Sequence, residues 1–450
     1  MYPILSTAIL LVLIPYLVFT KKYKILFVLA LISAFNEFLF LSFGTFNFSL
    51  SFVIMFWIIL IEKKIIIFEK SYFGGILWVI LLLMTITGYY FVLFAPWEDL
   101  YKNYRTITQQ LPLRTTVGLI RYIELIFTFY LFYFFFKNKY VDFLLFVRTA
   151  SIIVLVSFFV GMLDYAYFGG VIRKFLIPGH YVLSRFTGLA GEPRRIGQIY
   201  GMIIFLIVAF GFNRGMDKKL SLVTILVAFA GIGLSFSSTA IGFTVFVLLI
   251  YSLLGRVEIK YFITSGIILV IGLLFMLNNE KFVEHQQERI ALVALESSVS
   301  QIPNVPPWIN RFEVFDRSAL AFLFFNPTYS IFGVGPNTVN IPASKYLSEY
   351  DIGVYGGQID TAPFTFVVNI VSSAGFLGLF TFLGGIVFVL SQLIKNRLTH
   401  ALNLLLLFSI YFILYNNFIF YIVIGSVCGY MKSFAKLNNL KYAINNYTGP

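Results

Sequence analysis

The sequence predicts an all-α polytopic membrane protein with about 12–14 transmembrane helices and one large external loop. Composition is the first reason: of 450 residues, 59% are hydrophobic and 12% charged, with a mean hydropathy of +0.89. Soluble domains carry about 25% charged residues. The second reason is the repetition of apolar runs of about 20 residues, long enough to cross a hydrocarbon core of ~30 Å, separated by short basic turns. The third is a long polar, turn-rich interruption at 278–363. A bundle of spanning helices alone would not need it.

The first run, 3–20, lacks the basic leader and small-residue cleavage site of a signal peptide, so it reads as a retained helix. Further spans fall at 25–43, 46–61, 74–95, 117–136, 141–168, 197–212, 220–235, 239–254 and 261–277. Residues 1–277 thus form a transmembrane region with a second external loop at about 169–196. The long loop at 278–363 follows, and then a C-terminal region, 364–450, with spans at 364–394, 401–416 and 418–434 and a cytoplasmic tail. Alternation puts KKYK at 21–24, EKK at 62–64, KNK at 137–139, NRGMDKK at 213–219, GRVEIK at 255–260 and KNR at 395–397 on one face. Lys and Arg are denser there than in the loops opposite (97–116, 169–196 and 278–363), so that face is cytoplasmic and the N-terminus external. The small residues of GIGLSFSSTAIG, 231–242, fit close helix packing in lipid. No internal repeat is visible, which disfavours a repeat-built transporter.

The formal net charge of +13 is spread between apolar runs rather than gathered in a basic domain, so no nucleic-acid partner is expected. The single cysteine, Cys428, excludes an intramolecular disulfide and a cysteine metal cluster. The histidines at 180, 285 and 400 are too dispersed to suggest a metal site, and no Walker loop is present. No metal and no cofactor are expected.

Chemistry concentrates in the two external loops. In GEPRRIGQ, 191–198, Pro193 suits the first turn of a helix, where its missing N–H costs nothing. Arg194 and Arg195 then fall in that turn and oppose the helix dipole by a few tenths of a kcal/mol each unless an anion binds there. Lipid headgroup phosphates would serve as well as a specific substrate. In the long loop, Arg311 opens RFEVFDRSALAFLFF, where Phe312, Phe315, Ala319 and Phe322 recur at helical spacing. Such a helix fits the membrane surface, with Arg311 presented to a cavity; pairing with Glu313 or Asp316 is the alternative. FGVGPN at 332–337 is a turn signal. Glu192, Asp316 and Asp360 are candidate general bases, each equally readable as a solvated loop acid.

These residues resemble the bacterial O-antigen polymerase and O-antigen ligase superfamily. The resemblance lies in RFTGLAGEP at 185–193, in SFSSTAIG at 235–242, and in the ordered run from Arg311 through FGVGPN to TAPFTFVVNIVSSAGFLGLF. It spans roughly residues 180–385 by motif, and the whole chain by its many-helix layout with a large late loop. It implies a GT-C-like fold in the bacterial inner membrane, with an active site facing the periplasm. The implied chemistry is metal-independent glycosyl transfer from an undecaprenyl-pyrophosphate-linked glycan. The resemblance makes loop arginines essential, and Arg185 and Arg311 occupy the matching positions, with Arg194 and Arg195 nearby. With Asp360 as candidate base, Arg185, Arg311 and Asp360 are the expected catalytic residues, and Glu192, Arg194, Arg195 and Arg317 the expected substrate-binding ones. Membrane lipid and a chain-length regulator protein are the further partners implied. Ligases of this superfamily carry a His about eleven residues before the glycine matching Gly375. Here that position falls at or beside Phe364 and no His lies between 286 and 399, which favours a polymerase. A ligase and a lipid-linked oligosaccharide flippase remain as alternatives. A flippase should place charges inside the bundle, and in the sequence only Arg148 stands out within a span.

Overall fold

Helices that are apolar around their whole circumference must be covered by other helices or by lipid, and the sequence TFYLFYFFF at 128–136 makes one such helix central. The computed structural model describes residues 2–36, 40–43, 46–62, 71–94, 111–168, 171–172, 186, 188–189, 193–211, 216–235, 242, 244, 278, 283–284, 287, 301–348, 363, 365–414 and 418–447. The chain begins with α1 (Tyr2–Phe19), α2 (Tyr23–Asn36), the strands β1 (Phe40–Phe43) and β2 (Phe46–Ser49), and α3 (Leu50–Glu62). Then come α4 (Tyr72–Phe94), α5 (Leu111–Lys137), α6 (Phe143–Ala166), α7 (Pro193–Leu206) and α8 (Lys218–Leu234). The segment 301–348 contributes α9 (Val314–Phe325), α10 (Pro327–Phe332) and α11 (Asn340–Ala343). The chain continues with α12 (Phe366–Lys395), α13 (Thr399–Leu414) and α14 (Phe418–Tyr447).

Among the described residues, five helices are long and apolar enough to cross a membrane: Tyr72–Phe94, Pro112–Lys137, Phe143–Asp164, Phe366–Lys395 and Phe418–Ala435. The protein is an all-α polytopic membrane protein, and the strands among the described residues form one small hairpin. Helices α1, α7, α8 and α13 fall on the expected spans at 3–20, 197–212, 220–235 and 401–416. The expected span 261–277, and all of 239–254 except 242 and 244, lie outside the described residues.

Two expected spans, 25–43 and 46–61, are corrected in part: apolar helices α2 and α3 occupy most of each, but 40–43 and 46–49 are strands. Strand β1 pairs antiparallel with β2, Phe40 opposite Ser49 and Phe43 opposite Phe46. Two residues, Gly44 and Thr45, separate the strands, a spacing that selects a hairpin.

Helix α5 is the hub. Phe129, Tyr130, Phe132, Tyr133 and Phe135 are all buried on it. Helix α14 packs closest, because Gly425 and Gly429 bring its backbone against the Phe129 and Tyr133 carbonyls. The spacing is GxxxG, the small-residue device of helix pairing in lipid. The expected close packing at 231–242 is realised at Gly231, which lies against the Tyr200 ring.

The bundle has two distinct ends. At one, α1, α5 and α12 each terminate in the same turn, with Lys21, Lys139 and Arg397 in left-handed conformation (φ 54°, 57° and 54°). In each, the next residue's N–H reaches back five residues: Lys22 to Leu17 O, Tyr140 to Phe135 O, Leu398 to Leu393 O, at 2.9–3.0 Å. A cation replaces the usual glycine and meets the negative end of the helix dipole. At the other end lie the C-terminal half of α4 and the starts of α5 and α12. The described parts of both expected external loops dock there. Phe186 N–H donates to Leu234 O (3.4 Å), Leu189 N–H donates to Ser157 Oγ (3.2 Å), and Gly188 abuts Gly161 of α6.

Candidate functional site

The motif FGVGPN and the SSAG of α12 form one unit. Gly375 interrupts α12 with φ 70° and ψ −177°. A break inside a helix leaves carbonyls without their N–H partners, a cost that must be met when they are buried. Here the 332–337 turn meets it. Val334 N–H donates to Ser372 O (2.8 Å) and Gly335 N–H to Ser373 O (3.0 Å). Ser372 and Ser373 are both buried. The turn achieves this through Gly333 (φ 77°), Gly335 (φ 87°) and Asn337 (φ 58°), all left-handed. Glycine has no penalty there, and Asn is among the residues that tolerate it.

Helices α4 and α5 hold the turn from the other side. Gly335 lies against Gly88, while a Cβ on Gly118 would stand 2.7 Å from Pro336 O. Arg114 is buried, and its Nε–H donates to Asn337 O at 2.5 Å. The Thr115 and Thr338 hydroxyls are hydrogen-bonded at 3.0 Å. Below the turn is a cavity of about 90 Å³ lined in part by Arg121, Tyr122, Asn337, Asn369, Ser373 and Tyr421. It is large enough to admit polar groups of a larger ligand.

Arg121 and Glu124 supply the charge at this depth. Their ion pair is 2.8 Å long; the Arg121 side chain is 48% exposed and that of Glu124 only 5%. The second Glu124 oxygen accepts the Ser49 N–H at 2.9 Å, which ties the hairpin to the cavity wall. Sequence reasoning missed both residues, and Arg148 is therefore not the only charge that stands out within a span. The signal was available: Arg114, Arg121 and Glu124 are spaced by seven and three, on one face of α5.

The other expected site residues divide. Arg311 ends a 3₁₀ turn (Ile309–Arg311) rather than opening a helix, and it is exposed. The α-helix begins only at Val314, after Glu313. It does not lie on a surface as expected. Phe315, Ala319 and Phe322 are buried, but so are Asp316, Arg317 and Ser318 on other faces. Both faces are covered because α11 and α12 pack against it. The Asp316 carboxylate accepts the Thr365 N–H (3.2 and 3.3 Å) at the start of α12. That work makes it a helix anchor rather than an available base. Arg317, expected in substrate binding, sits buried beside it. Burial and the nearby Tyr90 push the Tyr329 phenol above its ordinary range, so it is neutral and serves in ring packing with Phe91 and Phe322.

Helix α7 starts at Pro193 as expected, with Arg194 and Arg195 in its first turn. Arg185, Glu192 and Asp360 lie outside the described residues. Comparison with known family models and with curated proteins finds no match.

Proposed function

We propose that the protein is a glycosyltransferase of the O-antigen polymerase type. It joins undecaprenyl-pyrophosphate-linked oligosaccharide repeat units at the periplasmic face of the bacterial inner membrane, on a GT-C-like helical scaffold. The observation that carries this reading is the joining of FGVGPN to the α12 break over a cavity that Arg121 lines, with Arg114 holding the turn at Asn337 O. These are two of the segments on which the family resemblance rests, and in the fold they depend on each other.

In this reading an acceptor-sugar hydroxyl attacks the anomeric carbon of the donor. The bond from that carbon to the pyrophosphate oxygen breaks, and the lipid pyrophosphate leaves with both electrons. The hydroxyl proton passes to a carboxylate, Asp360 or Glu192, since Asp316 is engaged with Thr365. Arginines meet the developing pyrophosphate charge. Their planar fork grips phosphate oxygens in pairs and stays charged throughout. Arg311, exposed in the described segment 301–348, is one arginine open to a lipid-borne substrate. Arg185, Arg194, Arg195 and Arg317 complete the proposed set.

One observation favours a second reading. The Arg121–Glu124 pair lies within a spanning helix, as a flippase path would require. Deleting the gene and separating the surface glycan by size distinguishes the two. The polymerase reading expects loss of the ladder with a single repeat still attached to its acceptor. Loss of every repeat would point to the flippase, or to a ligase.

A further inference from the structure

The segment from Ser318 to Ser344 holds no Asp, Glu, Lys or Arg, although it lies in the long loop between spans. A stretch of that length in a soluble domain would carry about seven charges. Its apolar side chains are not all used in packing. The start of α9 is buried on several faces, but its last residues, Phe324 and Phe325, are exposed, as are Ile331 and Phe332 of α10. Large apolar residues thus flank the corner between two helices of 12 and 6 residues, too short to span a membrane.

The depth of this corner follows from the helices that hold it. Gly375 of α12 meets the Ile331 carbonyl near the end of α10, and Gly118 of α5 meets Pro336 just beyond. From Gly375 to Lys395, the end of α12, the rise is about 30 Å, and from Gly118 to Lys137, the end of α5, about 28 Å. A hydrocarbon core is ~30 Å thick. Lys137 and Lys395 stand just before the turns at Lys139 and Arg397, at the basic end of the bundle. The corner therefore lies at the opposite boundary of the core, and two helices give that level separately. Helix α9 runs down to it from Asp316, which is bonded to Thr365 at the start of α12.

The surroundings at this level are those of a lipid boundary. Phe376, Leu377 and Phe380, exposed on a helix apolar enough to span, continue the surface from Gly375. Phe325 stacks on Tyr346 with ring centres 5.6 Å apart, and Lys345 Nζ lies 4.9 Å from the Tyr346 ring centre. Apolar, aromatic and cationic groups succeed one another there, as acyl chain, headgroup boundary and water do. Irregular backbone at this depth needs protein partners for its polar groups. The Val334 and Gly335 N–H groups find them on α12.

We infer that the α9–α10 corner is a membrane anchor. Phe324, Phe325, Ile331 and Phe332 lie among the acyl chains at the edge of the leaflet opposite the basic end, and they hold the FGVGPN turn at that level. The anchor does not depend on the glycosyl-transfer reading.

The test uses the full chain in phospholipid nanodiscs, with Cys428→Ala as background and a nitroxide attached to Phe325→Cys or Phe332→Cys. Val387→Cys, exposed on α12, is the lipid reference, and Lys218→Cys, exposed at the start of α8, the water reference. Both corner labels should follow Val387→Cys, relaxed by oxygen and protected from a water-soluble nickel chelate. Relaxation by the chelate as strong as at Lys218→Cys would overturn the anchor. Shielding from both probes would also overturn it, because protein then covers the corner; spin–spin broadening would identify that protein as a second copy of this chain. A label can displace the corner, so wild-type protein is also irradiated in nanodiscs whose lipid carries a diazirine high on the acyl chain. Adducts should appear on the tryptic peptide Ser318–Lys345. Their absence there, with adducts on the peptide that carries Phe376 and Phe380, would overturn the proposal.

Discussion

Replacing Gly375 by Ala is expected to cost about 3–5 kcal/mol and to abolish polymer formation. Two terms set the figure. A non-glycine residue held at φ 70° and ψ −177° stores strain of about 1–3 kcal/mol. A Cβ there would also overlap the Ile331 carbonyl oxygen. To relieve that overlap the 331–335 segment must withdraw, which removes its bonds to Ser372 and Ser373 at about 1 kcal/mol each. The control is Gly384→Ala on the same helix, where an added Cβ meets nothing within 4 Å. A helical glycine exchanged for alanine should be neutral or stabilising by up to about 1 kcal/mol. Thermal unfolding of both variants in detergent, with the amount of each in the membrane fraction, reads the difference. Gly375→Ala unfolding at the wild-type temperature would mean that the break in α12 does not organise the site.

Arg311→Ala should lower polymerisation by about 10²–10³-fold, the range for losing one preorganised donor to a transition-state oxyanion. It should do so without lowering the amount of folded protein. Arg311 is exposed at the end of a 3₁₀ turn, and substitutions at such positions usually shift stability by no more than about 0.5 kcal/mol. Loss of activity at this residue therefore reports on chemistry rather than folding. Arg311→Lys should recover part of the rate, because a point charge offers no paired donors. Wild-type ladders from Arg311→Ala would remove this residue from the site.

The spanning helices α4, α5, α6, α12 and α14 were legible in the sequence because apolar length alone identifies them. The FGVGPN turn was legible for a local reason, two closely spaced glycines followed by Pro-Asn. Its partner was not. Gly375 reads like any small residue in a membrane helix, and the break shows only in its folded conformation, φ 70° with the Ile331 carbonyl packed against it. The hairpin at 40–49 was hidden because FLSFGTFNFS is apolar enough to pass as helix, and short apolar runs do not separate the periods of 2 and 3.6. Helix α9 shows the converse. Its stripe was read correctly at Phe315, Ala319 and Phe322, yet the burial of Asp316 and Arg317 depends on α11 and α12, segments distant in sequence. The Arg121–Glu124 pair was in plain view on one face of α5. Its depth was not legible, because charges near the end of a span read equally as interfacial ones.

The central claim is that the bond energy comes from the donor's lipid-pyrophosphate linkage, with arginines as the charge clamp. The direct measurement uses purified protein in vesicles, supplied with lipid-pyrophosphate-linked repeat units in excess EDTA and without ATP. The account predicts chains of increasing length together with release of lipid pyrophosphate, and a rate unchanged when Mg²⁺ or Mn²⁺ is added. Failure to extend any repeat unit, or extension that stops in EDTA and returns with the divalent ion, would contradict it.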